Sequence, residues 1–169
     1  MSDLSQFEFT QFSILVIDDT EANIDVLVGL LGEQYDISVA LDGQSALADI
    51  EETPPDLILL DIMMPEMDGY EVCQKLKNKE STKDIPIIFL TAKGEIDDII
   101  KGFQYGAVDY ITKPFNPPEL QARVKAHLDL QASKRKIEQQ SNELILTNQS
   151  LKTTQGQLVE SEKMAALGQ

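Results

Sequence analysis

The sequence has one cysteine, one histidine and no tryptophan among its 169 residues. The single cysteine, Cys73, excludes an internal disulfide. No apolar run approaches the roughly 18 residues that a membrane-spanning helix needs. The first residues, MSDLSQFEFTQF, lack the basic and apolar regions of a secretory signal. These absences predict a cytoplasmic chain, kept in a reducing compartment, without a membrane span.

Basic residues are scarce in the first part of the chain. Residues 1–130 carry 25 acidic and 9 basic side chains, a net charge of −16, whereas residues 131–169 carry 4 and 5, a net charge of +1. A segment with this negative charge repels the phosphate backbone of a nucleic acid. The sequence also has no helix-turn-helix, zinc site or basic stripe. We therefore expect no nucleic-acid partner, and a change of structure near residue 130.

Five short apolar segments alternate with helical patterns before that point. The segments are rich in Ile, Val and Leu, as expected of strands buried on both faces: SILVI (13–17), DISVA (36–40), DLILL (56–60), PIIFL (86–90) and AVDYI (107–111). Apolar residues spaced three and four apart predict helices over 21–34, 43–52, 69–80 and 94–106. This alternation predicts an α/β fold with a five-stranded, parallel, doubly wound sheet.

A different pattern begins at Pro117, where one long helix is predicted to run towards the end of the chain. Apolar residues beyond Asp129 fall seven apart, at Leu130, Ile137, Leu144, Leu151 and Leu158. The companion seam positions are polar: Lys134, Ser141, Asn148 and Gln155. This heptad predicts a weak, parallel coiled coil and hence a homodimer, in which Asn148 fixes the register. A single helix packed on its own domain is the alternative.

Polar side chains follow four of the predicted strands. Asp18 and Asp19 follow the first, Asp61 the third, Thr91 the fourth and Lys113 the fifth. Because the carboxyl ends of parallel strands share one edge of a sheet, these side chains are expected to converge. Three clustered carboxylates repel one another, and an oxygen-only ligand set with open water positions suits Mg²⁺.

The same cluster suits phosphoryl transfer. Asp61 is the central carboxylate that can attack phosphorus, while Lys113 can hold the phosphoryl oxygens and the Thr91 hydroxyl can donate to them. Each signal alone has an ordinary structural reading, since an Asp-Asp pair can cap a helix and Lys-Pro-Phe can form a turn. The order and spacing of the whole set favour the site.

The segments ILVIDD, LLDIMMPEMDG, IIFLTA and GAVDYITKPF resemble the signature segments of the response-regulator receiver domain of two-component signalling, over residues 13–130. The resemblance implies a flavodoxin-like fold and an Asp61 that accepts phosphate from the phosphohistidine of a histidine kinase or phosphotransfer domain. It further implies that Asp18, Asp19 and the Met63 backbone carbonyl help to bind Mg²⁺. Lys113 would contact the phosphoryl group and precede a cis proline, and Thr91 and Tyr110 would form the switch.

The last nine residues, SEKMAALGQ, resemble the opening of the dimerisation helix of a histidine kinase, ahead of its phosphorylatable histidine. Together, the receiver resemblance, the heptad and this last resemblance predict four segments: an N-terminal extension over 1–12, a receiver over 13–130, a coiled-coil signalling helix over 131–160 and the start of a kinase dimerisation helix over 161–169. The chain would then be a self-phosphorylating receiver without an ATP-binding core, taken from a hybrid histidine kinase.

Other functions fit the residues less well. Phosphatases of the haloacid-dehalogenase group also use a strand-end aspartate with Mg²⁺, but they need a second acid two residues later, where this chain has Met63. A flavin site lacks support because no Ser-, Thr- or Gly-rich phosphate loop follows SILVI. A receiver joined to another output, such as a nucleotide cyclase, remains an alternative.

Overall fold

A computed structural model of the protein describes residues 12–167. Its centre is a parallel sheet of five strands in the order β2-β1-β3-β4-β5. The strands are β1 (Ser13–Ile17), β2 (Asp36–Ala40), β3 (Leu57–Asp61), β4 (Ile87–Ala92) and β5 (Asp109–Lys113). The predicted doubly wound α/β fold is therefore confirmed. Of the predicted extension over 1–12, residues 1–11 lie outside the described residues.

Helices follow the strands in alternation: α1 (Glu21–Leu31), α2 (Gly43–Glu52), α3 (Gly69–Lys77), α4 (Ile96–Gln104) and α5 (Pro117–Leu167). The predicted starts of α1, α2, α3 and α5 are confirmed, whereas α4 begins two residues later than predicted. Strands β3, β4 and β5 begin and end one or two residues later than the apolar segments. This shift places Asp61, Thr91 and Lys113 inside the strands, where the sheet holds their backbones.

The strands bury both faces because successive side chains point to opposite sides. On one side, Leu15, Ile58 and Phe89 pack with residues of α2 and α3. On the other side, Val16 and Leu59 pack with residues of α1 and with a stripe of α5 formed by Leu120, Val124 and Leu128. Near-continuous apolar strands are the expected consequence of helices on both faces.

The order of the strands also determines where a site can form. From β1 the chain crosses to β2 on one side of the sheet, and from β3 it crosses to β4 on the other side, so it leaves the carboxyl ends of β1 and β3 in opposite directions. In a sheet of this kind a crevice opens outside the strand ends at such a point. Asp18 and Asp61 stand at this crevice.

The loop after Asp61 is apolar because part of it belongs to the core. Ile62 and Met64 are buried, whereas Met63 is 72% exposed. The loop ends at Asp68, whose carboxylate accepts a hydrogen bond from the Glu71 backbone N–H at 2.9 Å and caps α3. The loop is thus anchored at both ends and holds the end of β3 in place.

Gly69, the first residue of α3, lies so close to the backbone after β3 that we expect its substitution to destabilise the fold. A Cβ atom there would lie 2.3 Å from the Asp61 carbonyl oxygen and 2.8 Å from the Ile62 Cα atom, both of them backbone. We expect Gly69→Ala to lower the free energy of unfolding by about 3 kcal/mol, measured by urea denaturation. Gly29→Ala in α1 is the control: its Cβ would meet nothing within 4 Å, and it should raise stability by about 1 kcal/mol. Equal stability of the two variants would contradict this account of the β3–α3 junction.

The chain divides into two units between Asp129 and Leu130, and the second unit is helical over its described residues, up to Leu167. The heptad residues Leu130, Ile137, Leu144, Leu151 and Leu158 are 55–66% exposed. No helix within residues 12–167 is long and apolar enough to cross a membrane. The second unit therefore presents an apolar stripe to its surroundings, and its pairing with a second chain stays a prediction.

Candidate functional site

The predicted site residues meet at the carboxyl edge of the sheet. Asp18 follows β1 directly, Asp61 and Lys113 end β3 and β5, and Thr91 lies at the end of β4. Asp18, Asp61 and Thr91 are buried, at 0%, 4% and 2% exposure, and Asp19 is exposed. Burying a polar group without a hydrogen-bond partner costs folding free energy. The partners of these side chains therefore help to show what the site can bind.

Lys113 connects two of the carboxylates. Its Nζ atom donates to Asp18 Oδ2 at 3.1 Å and to Asp61 Oδ1 at 3.0 Å. The peptide bond between Lys113 and Pro114 is cis, in agreement with the resemblance. One ammonium group thus faces two buried acids, and Asp19 is a third acid at the same edge.

Asp18 has two further donors that the sequence analysis did not identify. The Thr20 backbone N–H donates to Asp18 Oδ1 at 2.8 Å, and the Asn23 side-chain amide donates to Asp18 Oδ2 at 3.2 Å. Asn23 lies in the first turn of α1, five residues after Asp18. The sequence does contain a signal for the Asn23 contact, namely an amide side chain in the first helical turn after two consecutive aspartates.

The carboxylates form a donor set of the kind that Mg²⁺ prefers. Asp18, Asp19 and Asp61 each offer an oxygen, and these oxygens lie within 4.8 Å of one another. Two acids about 4 Å apart repel by about 4 kcal/mol at an effective dielectric constant of 20, and Lys113 offsets only one of the three charges. A hard divalent cation held by oxygen ligands fits the remaining charge.

Thr91 and Met63 line an open cavity of about 270 Å³ next to Asp61 and Lys113. The Thr91 Oγ1 atom is buried and has no hydrogen-bond partner among the described residues. Leaving a buried hydroxyl unpaired costs about 1–3 kcal/mol. The cavity therefore has a hydroxyl donor, an ammonium group and a carboxylate available to one small ligand.

Tyr110 lies beside the site on β5, where its ring packs between two side chains. Phe103 of α4 meets the ring edge-on, with the ring centroids 6.2 Å apart. The Arg123 guanidinium of α5 stands 5.3 Å from the ring centroid and also pairs with Asp109 at 2.5 Å. The Tyr110 ring thus contacts both helices that flank β5.

The environment of the site changes the acidity of its groups. Burial, together with the charges of Asp18 and Asp19, raises the pKa of Asp61 to about 6, against the lowering effect of the Lys113 hydrogen bond and charge. Burial lowers the pKa of Lys113, but its hydrogen bond to Asp61 and the charges of Asp61 and Asp18 outweigh burial, so the net shift is upward. Lys113 therefore remains a cation at neutral pH.

The raised pKa of Asp61 predicts a pH-dependent stability without added metal. An aspartate in the unfolded chain titrates near pH 4, so between about pH 4 and pH 6 the folded state keeps a proton that the unfolded state loses. The Asp61 contribution to the free energy of unfolding therefore falls as pH rises through this range, by at most about 3 kcal/mol. We expect Asp61→Asn to be more stable than the native protein at pH 7.5 and equally stable at pH 4. Urea denaturation in EDTA measures both, and a constant difference between the two proteins would contradict the prediction.

Comparison with known proteins shows a match between this chain and one protein-family model. The model described as the response regulator receiver domain matches residues 14–125, more than half of the chain. The crystal structure of the signal receiver domain of a signal transduction histidine kinase from Syntrophus aciditrophicus is 35% identical, with a TM-score of 0.65, over 70% of this chain and 90% of that one.

Two curated relatives carry different descriptions. A probable cyclic di-GMP phosphodiesterase of Vibrio cholerae is 43% identical over 134 residues, 79% of this chain and 30% of its own length. The DNA-binding dual master transcriptional regulator RpaA of Synechocystis is 48% identical over 116 residues, 68% of this chain and 48% of its own length. The chain thus spans less than half the length of each of these relatives.

Proposed function

The chain belongs to the response-regulator receiver family, and from this premise we propose that Asp61 is the phosphoacceptor of a Mg²⁺-dependent phosphorelay. The observation that carries the proposal is the pairing of Lys113 Nζ with Asp61 Oδ1 at 3.0 Å inside a cluster of three acids. Asp18, Asp19, Asp61 and the Met63 backbone carbonyl are the proposed metal ligands. The donor is the phosphohistidine of a histidine kinase or of a phosphotransfer domain.

The chemistry is a single phosphoryl transfer. An ionised Asp61 oxygen forms a bond to phosphorus, the bond between phosphorus and the donor imidazole breaks, and the imidazole takes up a proton. Lys113 neutralises negative charge on the phosphoryl oxygens, and the Thr91 hydroxyl donates a hydrogen bond to one of them. Bound Mg²⁺ supplies positive charge that offsets the repulsion between the phosphoryl group and the carboxylates.

Thr91 and Tyr110 are the proposed switch. Once a phosphoryl group stands on Asp61, the otherwise unpaired Thr91 hydroxyl gains an acceptor and moves towards it. The Tyr110 ring follows into the vacated space and alters its contacts with Phe103 and Arg123. Structures with and without a beryllium fluoride mimic at Asp61 test this step, and unchanged Thr91 and Tyr110 side chains in both would contradict it.

The phosphoacceptor role is tested with a small phosphodonor. The full chain is incubated with acetyl phosphate and Mg²⁺, and intact-mass spectrometry measures the gain of one phosphoryl group. Reduction with borohydride, which marks an acyl phosphate, locates the modified residue by peptide mapping. Uptake that ignores EDTA, or a modified residue other than Asp61, would contradict the proposal.

We further propose that residues 131–160 form a coiled-coil signalling helix and that residues 161–169 begin the dimerisation helix of a histidine kinase. The exposed heptad from Leu130 to Leu158 supports the first assignment. The similarity of residues 161–169 to a kinase dimerisation helix, together with the receiver domain of a histidine kinase among similar structures, supports the second. In this arrangement the receiver controls a kinase through paired helices.

A second candidate output is an enzyme that acts on nucleotides, such as a cyclase. The Vibrio cholerae relative, described as a probable cyclic di-GMP phosphodiesterase, favours such an arrangement because it matches 79% of this chain. The coding sequence after Gln169 distinguishes the two candidates. A histidine within the next helical turns followed by an ATP-binding domain supports the kinase, and a nucleotide cyclase or phosphodiesterase domain overturns it.

A further inference from the structure

Asn23, in the first turn of α1, donates a side-chain hydrogen bond to the buried Asp18 carboxylate. Its Nδ2 atom lies 3.2 Å from Asp18 Oδ2, and Asn23 itself is half-buried. A carboxylate only accepts hydrogen bonds, so the amide presents its NH₂ group to Asp18. The contact is therefore a directed donation from the first turn of a helix to a fully buried acid.

The two oxygens of Asp18 are held by different elements. Oδ1 accepts from the Thr20 backbone N–H, and Oδ2 accepts from Asn23 and from Lys113. Of these donors only Lys113 also bonds Asp61. If Lys113 turns towards a phosphoryl group, Thr20 and Asn23 are the donors that continue to fix the Asp18 carboxylate.

A fixed carboxylate matters because Asp18 is the most deeply buried of the three acids, with 0% exposure against 4% for Asp61. Bulk water surrounds an exposed ligand such as Asp19, whereas the buried Asp18 carboxylate accepts hydrogen bonds from the protein donors Thr20, Asn23 and Lys113. Hydrogen-bond partners of metal ligands hold those ligands in the geometry that the ion needs.

We propose that Asn23 is a positioning residue that sets the orientation of Asp18 and thereby the affinity of the site for Mg²⁺. This inference rests on the metal-dependent function proposed above. Asn23 touches neither the phosphoryl group nor the attacking oxygen, so its effect acts through Asp18 on metal binding. A variant that lacks the Asn23 amide should therefore bind Mg²⁺ more weakly, and a higher Mg²⁺ concentration should restore its phosphorylation.

Two substitutions separate donation from packing. Asn23→Ala removes the amide, and Asn23→Leu removes the donor but keeps a branched side chain of similar size. We expect both to raise the Mg²⁺ dissociation constant by about tenfold, the scale on which hydrogen-bond partners of metal ligands act. Asn142→Ala deletes an exposed helical amide in the second unit and should bind Mg²⁺ as the native chain does.

The experiment titrates the full chain with Mg²⁺, following backbone amide resonances by NMR, and measures acetyl phosphate labelling at each Mg²⁺ concentration. At saturating Mg²⁺ both Asn23 variants should label at the native rate. A native dissociation constant in both variants, or in Asn23→Leu alone, overturns the inference, and so does slow labelling that persists at saturation. A native chain that binds Mg²⁺ but never takes up a phosphoryl group overturns the proposed function instead, while the dissociation constants still decide the role of Asn23.

Discussion

Asp61→Asn will abolish the uptake of phosphate from acetyl phosphate while leaving the protein folded. The substitution keeps the size of the side chain but replaces the ionised nucleophile by an amide, which cannot form the acyl phosphate. A loss of at least about a hundredfold in labelling rate, the sensitivity of the assay, is expected, because the remaining groups can assist a transfer but provide no acceptor oxygen at this position. Intact-mass spectrometry over time measures the rate. Urea denaturation of the same variant in the labelling buffer shows whether it is folded, which separates a lost nucleophile from unfolding.

Asp25→Asn is the matched control, since Asp25 is an exposed acid of α1 that lies outside the cluster of three carboxylates. It should label at the native rate. Lys113→Ala should label slowly, because the cation that faces Asp61 at 3.0 Å is removed while the nucleophile stays. If Asp61→Asn labels as fast as Asp25→Asn, the phosphoacceptor lies elsewhere and the assignment is wrong.

The fold could be predicted because strands buried on both faces leave an unambiguous signal. Segments such as SILVI are almost continuously apolar, and a helix between two such strands favours a right-handed crossover to a parallel neighbour. The ends were less predictable. Asp61, Thr91 and Lys113 are polar and so read as loop residues, yet backbone pairing with neighbouring strands extends through them. Hydropathy reports burial, whereas strand bounds follow hydrogen bonds, and the two differ where a site is built into the sheet.

The candidate site was predictable as a set because strand order places certain positions at one edge. What the sequence could not supply were contacts that depend on side-chain direction. The donation from Asn23 to Asp18 requires the first turn of α1 to point back across the end of β1. In the same way, the pair Met63-Met64 divides into one exposed and one buried side chain, and only the loop path determines which. Patterns of residue type carry no information on either point.

The double substitution Leu144→Lys and Leu151→Lys will convert a dimer of the full chain into a monomer. Five heptad residues from Leu130 to Leu158 are 55–66% exposed, and burying one leucine side chain stabilises an interface by about 2 kcal/mol. Two lysines at the seam remove this gain at two layers and place like charges opposite each other in the paired helices. The polar companion residues contribute little apolar burial, so the remaining layers cannot hold the pair. Light scattering during size-exclusion chromatography measures the mass.

Asn142→Lys with Gln149→Lys adds the same charge to the same stretch of helix, at exposed positions outside the seam, and should leave the dimer intact. A monomeric native chain at high micromolar concentration would refute the dimer itself.

Orientation requires a separate measurement, because only a parallel, in-register pair brings each seam residue opposite its own copy. Gln155→Cys should therefore form a disulfide between two chains on mild oxidation, since a disulfide needs Cβ atoms about 4 Å apart. Asn142→Cys, which faces away from the seam, should not. The native Cys73 is buried, so it does not compete. An antiparallel pair would carry the two copies of residue 155 to different layers, and a dimer that fails to crosslink there would contradict the parallel arrangement through which a receiver can act on a paired output.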